Sequence, residues 1–154
     1  MPETTWTDGA VSRLRESSGR SGSARHAVVE LLGRQGCCLS AQELHERLRT
    51  SGRRVGIASV YRVLEQLSSM QLVQRVEIGD GVTRYEPVHP GGEHHHHLIC
   101  DHCGRVLAFE DSPLEQALDG RSGRLGYDVA MHDAVLRGLC ADCLDRPDAR
   151  GRSA

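Results

Sequence analysis

Two cysteine pairs carry the most specific chemistry in this chain. Cys100-Asp101-His102-Cys103 and Cys140-Ala141-Asp142-Cys143 are both Cys-x-x-Cys motifs, separated by 36 residues. Each motif is a knuckle that can present two thiolates to one tetrahedral ion. Two knuckles complete a closed four-cysteine zinc site with no open coordination position, which suits structure rather than catalysis. A redox Cys-x-x-Cys would stand singly at the start of a helix, and the pairing argues against it. Metal held this way makes the folding of a small domain metal-dependent.

A second group of ligand types runs into the first knuckle. Glu93-His94-His95-His96-His97-Leu98-Ile99 leads directly to Cys100. The tract lies in mid-chain, where an affinity tag would not. Side chains of a strand alternate between faces. As a strand, the run sends His94 and His96 one way and His95 and His97 the other, enough to feed two separate sites. Other side chains able to join them are Cys38, Glu86, His89, Glu110, Glu115 and His132.

Composition limits the scaffold behind these groups. The chain has 154 residues, 38% hydrophobic and only 3% aromatic, which implies a modest aliphatic core and room for a structural metal as a staple. No apolar run is long enough to span a membrane, and the first residues lack the apolar segment of a secretory signal. The expectation is a cytosolic protein whose six cysteines stay reduced and serve as ligands rather than as a disulfide framework. Net charge is −2, unevenly spread: +2 over residues 1–88 and −4 over residues 89–154. The front half is the better partner for a polyanion.

Residues 1–22 are rich in Ser, Gly and Thr and read as a flexible tail, with at most a short helix around Ala10–Glu16. Ser23 is the expected cap of a helix over Ala24–Arg34 that stops at Gly36. Ser40 with Glu43 forms a capping box ahead of a helix that turns Ala41, Leu44 and Leu48 inward. A third helix, about Ile57 to Met70, buries Ile57, Val60, Leu64 and Leu67 and shows Ser59, Tyr61, Arg62 and Gln66 on its other face. Two alternating runs around Gly79-Asp80-Gly81 read as a hairpin. Three helices followed by a hairpin form a winged helix-turn-helix over residues 23–88, whose third helix would enter the major groove of DNA. Residues 89–93 are a hinge by composition. Residues 94–144 should form a small α/β domain: strands about His94–Ile99 and Val106–Phe109, a helix from Ser112-Pro113 to about Leu118, and a last strand over roughly Asp128–Leu139. Residues 145–154 read as a loose tail. The fold class is α+β. No His-Glu-x-x-His or comparable catalytic motif is present, so an enzyme with a catalytic zinc is disfavoured.

Four blocks together resemble the ferric uptake regulator family of bacterial metal-responsive repressors. They are Gly56-Ile57-Ala58-Ser59-Val60-Tyr61-Arg62-Val63-Leu64, Arg84-Tyr85-Glu86, the histidine run through Cys103-Gly104, and Cys140-Ala141-Asp142-Cys143. The resemblance spans roughly residues 23–144. It implies a homodimer, with residues 94–144 as the dimerisation domain, that binds double-stranded operator DNA when loaded with metal. It also implies structural zinc on Cys100, Cys103, Cys140 and Cys143. A hinge sensing site would fall on Cys38, Glu86, His95 and His97, and a second regulatory site on His94, His96, Glu115 and His132. On this reading Ser59, Tyr61, Arg62 and the wing residue Arg84 contact DNA. Two departures bear on the sensed metal. Cys38 stands where iron- and peroxide-sensing members typically carry histidine, and Ala108 where they often carry an acid. A thiolate with fewer oxygen ligands favours Zn²⁺ over Fe²⁺ or Mn²⁺. The four-histidine run looks most like the zinc uptake regulator branch. That branch often has an acid where this chain has Gln74, and a cysteine near the hinge for which His89 could substitute. The alternative is an iron(II)-, manganese- or peroxide-responsive repressor of the same family. Cys37 either joins Cys38, replaces it or stands by.

Overall fold

The computed structural model describes residues 5–18, 22–35, 37–89, 95–130 and 132–145. The chain divides into two compact units, Met1–Glu93 and His94–Ala154.

The first unit opens with a helix, α1 (Trp6–Ser18), followed by α2 (Ser23–Gly33). The reading of residues 1–22 as a tail is corrected over Trp6–Ser18, a helix longer than the short one expected around Ala10–Glu16. The polar composition of α1 hides a one-sided contact: Ala10 and Leu14, four residues apart and so on one face, are fully buried. The Trp6 indole N–H donates to the Leu72 carbonyl at 3.0 Å. Ser23 is not the cap of α2 but its first residue, with Gly22 in the capping position. The expected stop at Gly36 lies outside the described residues.

A two-residue strand β1 (Leu39–Ser40) leads into α3 (Ala41–Thr50). The capping box is present, with the Ser40 side chain accepting from the Glu43 N–H and the Glu43 carboxylate accepting from the Ser40 N–H. Helix α4 (Ile57–Ser69) buries Val60, Val63, Leu64 and Leu67, while Ile57 is exposed instead of inward. Strands β2 (Val73–Glu77) and β3 (Thr83–Pro87) form the hairpin, with register Gln74↔Glu86, and β1 joins the far edge of β3. Gly79 and Gly81 adopt φ of 83° and 74°, the left-handed region that closes the turn. The core is aliphatic apart from Tyr85, and each fully buried Leu or Val in it contributes about 1.5–3 kcal/mol.

In the second unit, β4 (His96–Cys100) is the centre of a three-stranded sheet. It pairs antiparallel with β5 (Val106–Phe109) and parallel with β6 (Val135–Gly138). Helix α5 (Ser112–Arg124) has Asp111 as its cap, accepting from the Leu114 N–H at 2.8 Å. It runs well beyond the expected end at Leu118. Gly120 and Gly123 do not stop it; Gly126, at φ 77°, does, and the Tyr127 N–H reaches back to the Ser122 carbonyl. The last strand is shorter than expected because its partner β4 begins only at His96 and offers ladder positions from Val135 to Gly138. A four-residue helix, α6 (Ala141–Leu144), closes the unit. Among the described residues no helix is long and apolar enough to cross a membrane.

Candidate metal centres and the exposed helix

The four knuckle cysteines come together in the second unit. Cys100 ends β4, Cys103 follows in the turn, and Cys140 and Cys143 cap and occupy α6. Their sulfurs all lie within 4.8 Å of one another, and Cys103 Sγ and Cys140 Sγ are 3.8 Å apart. Zinc–sulfur bonds of about 2.3 Å in a tetrahedron place sulfurs about 3.8 Å apart, so the set fits one zinc. A disulfide would need about 2.05 Å, and none of the six cysteines is in a disulfide. Backbone N–H groups of Cys103 and Cys140 donate towards Cys100 Sγ and hold its thiol down to about 6. Burial pushes the Cys143 thiol up to about 12.

A second cluster lies at the opposite end of β4, where His96 begins the strand that Cys100 ends. His96 is fully buried, against Phe109 and with its ring centroid 5.5 Å from that of His132. His96 Nε2 pairs with Glu115 Oε1, and His132 Nε2 lies 2.9 Å from Glu115 Oε2. The Ala134 N–H donates to His96 Nδ1 at 3.2 Å, so the neutral ring carries its proton on Nε2 and gives it to Glu115. Three nitrogen and oxygen donors within 4.8 Å fit a divalent cation in place of the shared protons. His94 lies outside the described residues.

The residues expected at the hinge belong to different units. In the first, β1–β3 pairing sets Leu39 against Tyr85, so Cys38 precedes the ladder on the strand neighbouring Glu86. Cys38 and Glu86 are both buried, and Gln74 donates its side-chain amide to Glu86 from the adjoining strand β2. Contact with the Cys37 thiol, then burial and the Glu86 charge, push the Cys38 thiol up. In the second unit, the rings of His95 and His97 meet edge to face, with centroids 5.3 Å apart. His96 turns instead to Glu115 and His132. His89 and Glu110 are exposed.

Helix α4 presents Tyr61 and Arg62 to solvent and Ser59 half-buried in its first turn. The Tyr61 hydroxyl accepts from Gln42 Nε2 of α3 at 2.7 Å, which ties the two helices together at their exposed side. Arg84 departs from the expected DNA contact. It is only 7% exposed, and its guanidinium lies 2.8 Å from Asp80 Oδ2 in the wing turn. It braces the wing, a role that the sequence showed only as an Asp80–Arg84 pair four residues apart.

The comparisons with known proteins agree with one another. The model of the ferric uptake regulator family matches residues 16–137. The ferric uptake regulation protein of Bacillus subtilis is 32% identical over 133 residues, covering 85% of this chain and 89% of that protein. That of Legionella pneumophila is 38% identical over 105 residues, 68% of this chain and 76% of the relative. The solved structure of the Helicobacter pylori ferric uptake regulator, described as having three functional metal binding sites, superposes with a TM-score of 0.74 at 29% identity, covering 89% of this chain and 93% of that one. With a winged helix, a four-cysteine cluster and a family match across most of its length, the chain belongs to the ferric uptake regulator family and is a transcriptional regulator, not an enzyme.

Proposed function

We propose that this regulator is a zinc-responsive repressor, of the zinc uptake regulator kind, that acts in the cytoplasm as a homodimer on operator DNA of zinc-homeostasis genes. The observation that carries the choice of metal is Cys38, a buried sulfur on the strand beside the Glu86 carboxylate. Sulfur, carboxylate and imidazole in one ligand set suit tetrahedral Zn²⁺. Gln74 fills the position where zinc-sensing relatives often have an acid, but it hydrogen-bonds the carboxylate directly across the ladder, so Glu86 supplies from β3 what Gln74 lacks.

Cys38 and Glu86 from the first unit, with His95 and His97 from the second, form the sensing site. Bound zinc supplies a cross-link between units joined by residues 89–93. Without it the units sample many relative orientations, and ligation selects one in which both copies of α4 meet successive major grooves. Ser59, Tyr61 and Arg62 contact bases or phosphates there, with Arg84 holding the wing. Cys100, Cys103, Cys140 and Cys143 carry the permanent structural zinc. His96, Glu115 and His132, with His94, form a second regulatory site. Pairing of two copies is supported by Leu98, Leu107 and Leu136. These lie in register across the three strands of the second sheet and are 40%, 58% and 46% exposed.

The deciding experiment is operator binding titrated with buffered Zn²⁺, Fe²⁺, Mn²⁺ and Ni²⁺, repeated with Cys38→Ser. Activation at the lowest free Zn²⁺, with loss of that preference in Cys38→Ser, supports the reading. Activation by Fe²⁺ or Mn²⁺ at low free zinc would establish the iron or manganese alternative.

A further inference from the structure

Five of the six cysteines have roles in the reading above, and Cys37 has none. In an extended strand, adjacent side chains point to opposite faces, which keeps neighbouring sulfurs well apart. Here the chain bends at Cys37 before it enters β1, and Cys37 Sγ and Cys38 Sγ converge to 3.7 Å. That separation matches two sulfurs on one tetrahedral ion with bonds of about 2.3 Å and is far from a disulfide bond. Cys37 is half-buried, so the pair lies where an ion can reach it from one side. Across the β1–β3 ladder from Cys38, Glu86 already accepts from the Gln74 side chain.

We propose that Cys37 is a second thiolate ligand of the sensing site in place of the Glu86 carboxylate, so that the first unit presents two sulfurs to a soft or borderline divalent cation such as Zn²⁺ or Cd²⁺ and the tetrahedron keeps four ligands. This rests on the reading of Cys38 as a sensing ligand. Two thiolates add affinity for thiophilic ions and little for Mn²⁺ or Fe²⁺, which prefer oxygen and nitrogen. They also fix the ion to a short segment that ends in the Ser40 capping box. Ion capture at Cys37 and Cys38 therefore acts directly on the start of α3, the helix that holds α4 through Gln42 and Tyr61.

Full-length protein with zinc retained in the four-cysteine site is titrated with Co²⁺ as the probe, and sulfur-to-cobalt charge-transfer absorption is read. Circular dichroism and retained zinc confirm that each variant is folded. The expected result is that Cys37→Ser and Cys38→Ser each remove about half of the band and the double variant removes it all, as equal bonds to one ion require. A band untouched by Cys37→Ser and abolished by Cys38→Ser overturns the proposal and leaves the sensing site intact. A band abolished by Cys37→Ser alone, or absent from the unaltered protein, overturns the assignment of Cys38 as well.

Discussion

At the scale of single residues, protons and metal compete for the same atoms. Without metal, the Cys100 thiol is held down to about 6 by N–H donors, whereas burial holds the Cys143 thiol up near 12. A depressed thiol adds stability above its unfolded value near 9, and that contribution is lost as pH falls through about 6. A raised thiol does the opposite: its contribution is complete below 9 and is lost as pH rises towards 12. Zinc binding at neutral pH therefore displaces a proton from Cys143 and none from Cys100. Below about pH 6, Cys100 adds a further proton to be displaced. Zinc retention, measured as transfer to a chromophoric chelator, should drop steeply across that range; a flat profile from about pH 7.5 to 5.5 contradicts the assignment. The His96 cluster gives a different expectation. A cation on Nε2 moves the ring proton to Nδ1, where it opposes the Ala134 N–H. That backbone donor then loses its acceptor, a penalty of about 1–3 kcal/mol. Isothermal titration should show the second regulatory site to be weaker than the sensing site.

At the scale of elements, α4 separates stability from recognition. Leu64 is fully buried and Tyr61 is 44% exposed on the same helix. Leu64→Ala should cost about 2–5 kcal/mol in urea unfolding. Tyr61→Ala should leave stability within about 1 kcal/mol and weaken operator binding at least tenfold. Equal effects of the two on stability would contradict the outward role of Tyr61. The inward stripe of α4 was legible because Val60, Leu64 and Leu67 repeat at helical spacing, and the hairpin because Gly79-Asp80-Gly81 announces a turn. Helix α1 was legible only in its middle, around Ala10–Glu16, because only Ala10 and Leu14 bury fully among polar neighbours, and its main anchor, the Trp6 indole, reaches a carbonyl 66 positions away. The end of α5 was misread because Gly120 and Gly123 look like stops, while the residue that turns left-handed is Gly126. The four-cysteine cluster was legible from spacing alone, since two knuckles leave little freedom. The embedding of Arg84 was not, because an exposed wing arginine and one folded back onto Asp80 share the same local sequence.

At the scale of the whole molecule, the two units depend on different forces. The first has a continuous aliphatic core of its own. In the second, the buried apolar residues among those described are Ile99, Cys100 and Cys143, and two of those three are metal ligands in this reading. Removal of structural zinc should therefore unfold the second unit while the first keeps its helices. Circular dichroism would show partial loss, and hydrogen exchange would localise it beyond residue 94; a single transition of the whole chain is the contrary result. In the proposed dimer, a second copy would supplement this thin core. Leu98, Leu107 and Leu136 form an exposed apolar row, and with Arg105 and Arg137 they line a groove of about 440 Å³. Pairing two copies across this row removes leucine surface that one copy leaves in water, at about 25 cal/mol for each Å² buried. A charge in the middle of that surface would have to be desolvated on pairing. Leu136→Glu should thus yield monomers at micromolar concentration in sedimentation velocity. Zinc content and helicity should be retained, because Leu136 is already 46% exposed within its own unit. Operator affinity should fall with the dimer, since two α4 helices at a fixed spacing bind far more tightly than one. Dimers that persist in Leu136→Glu would move the interface off this sheet.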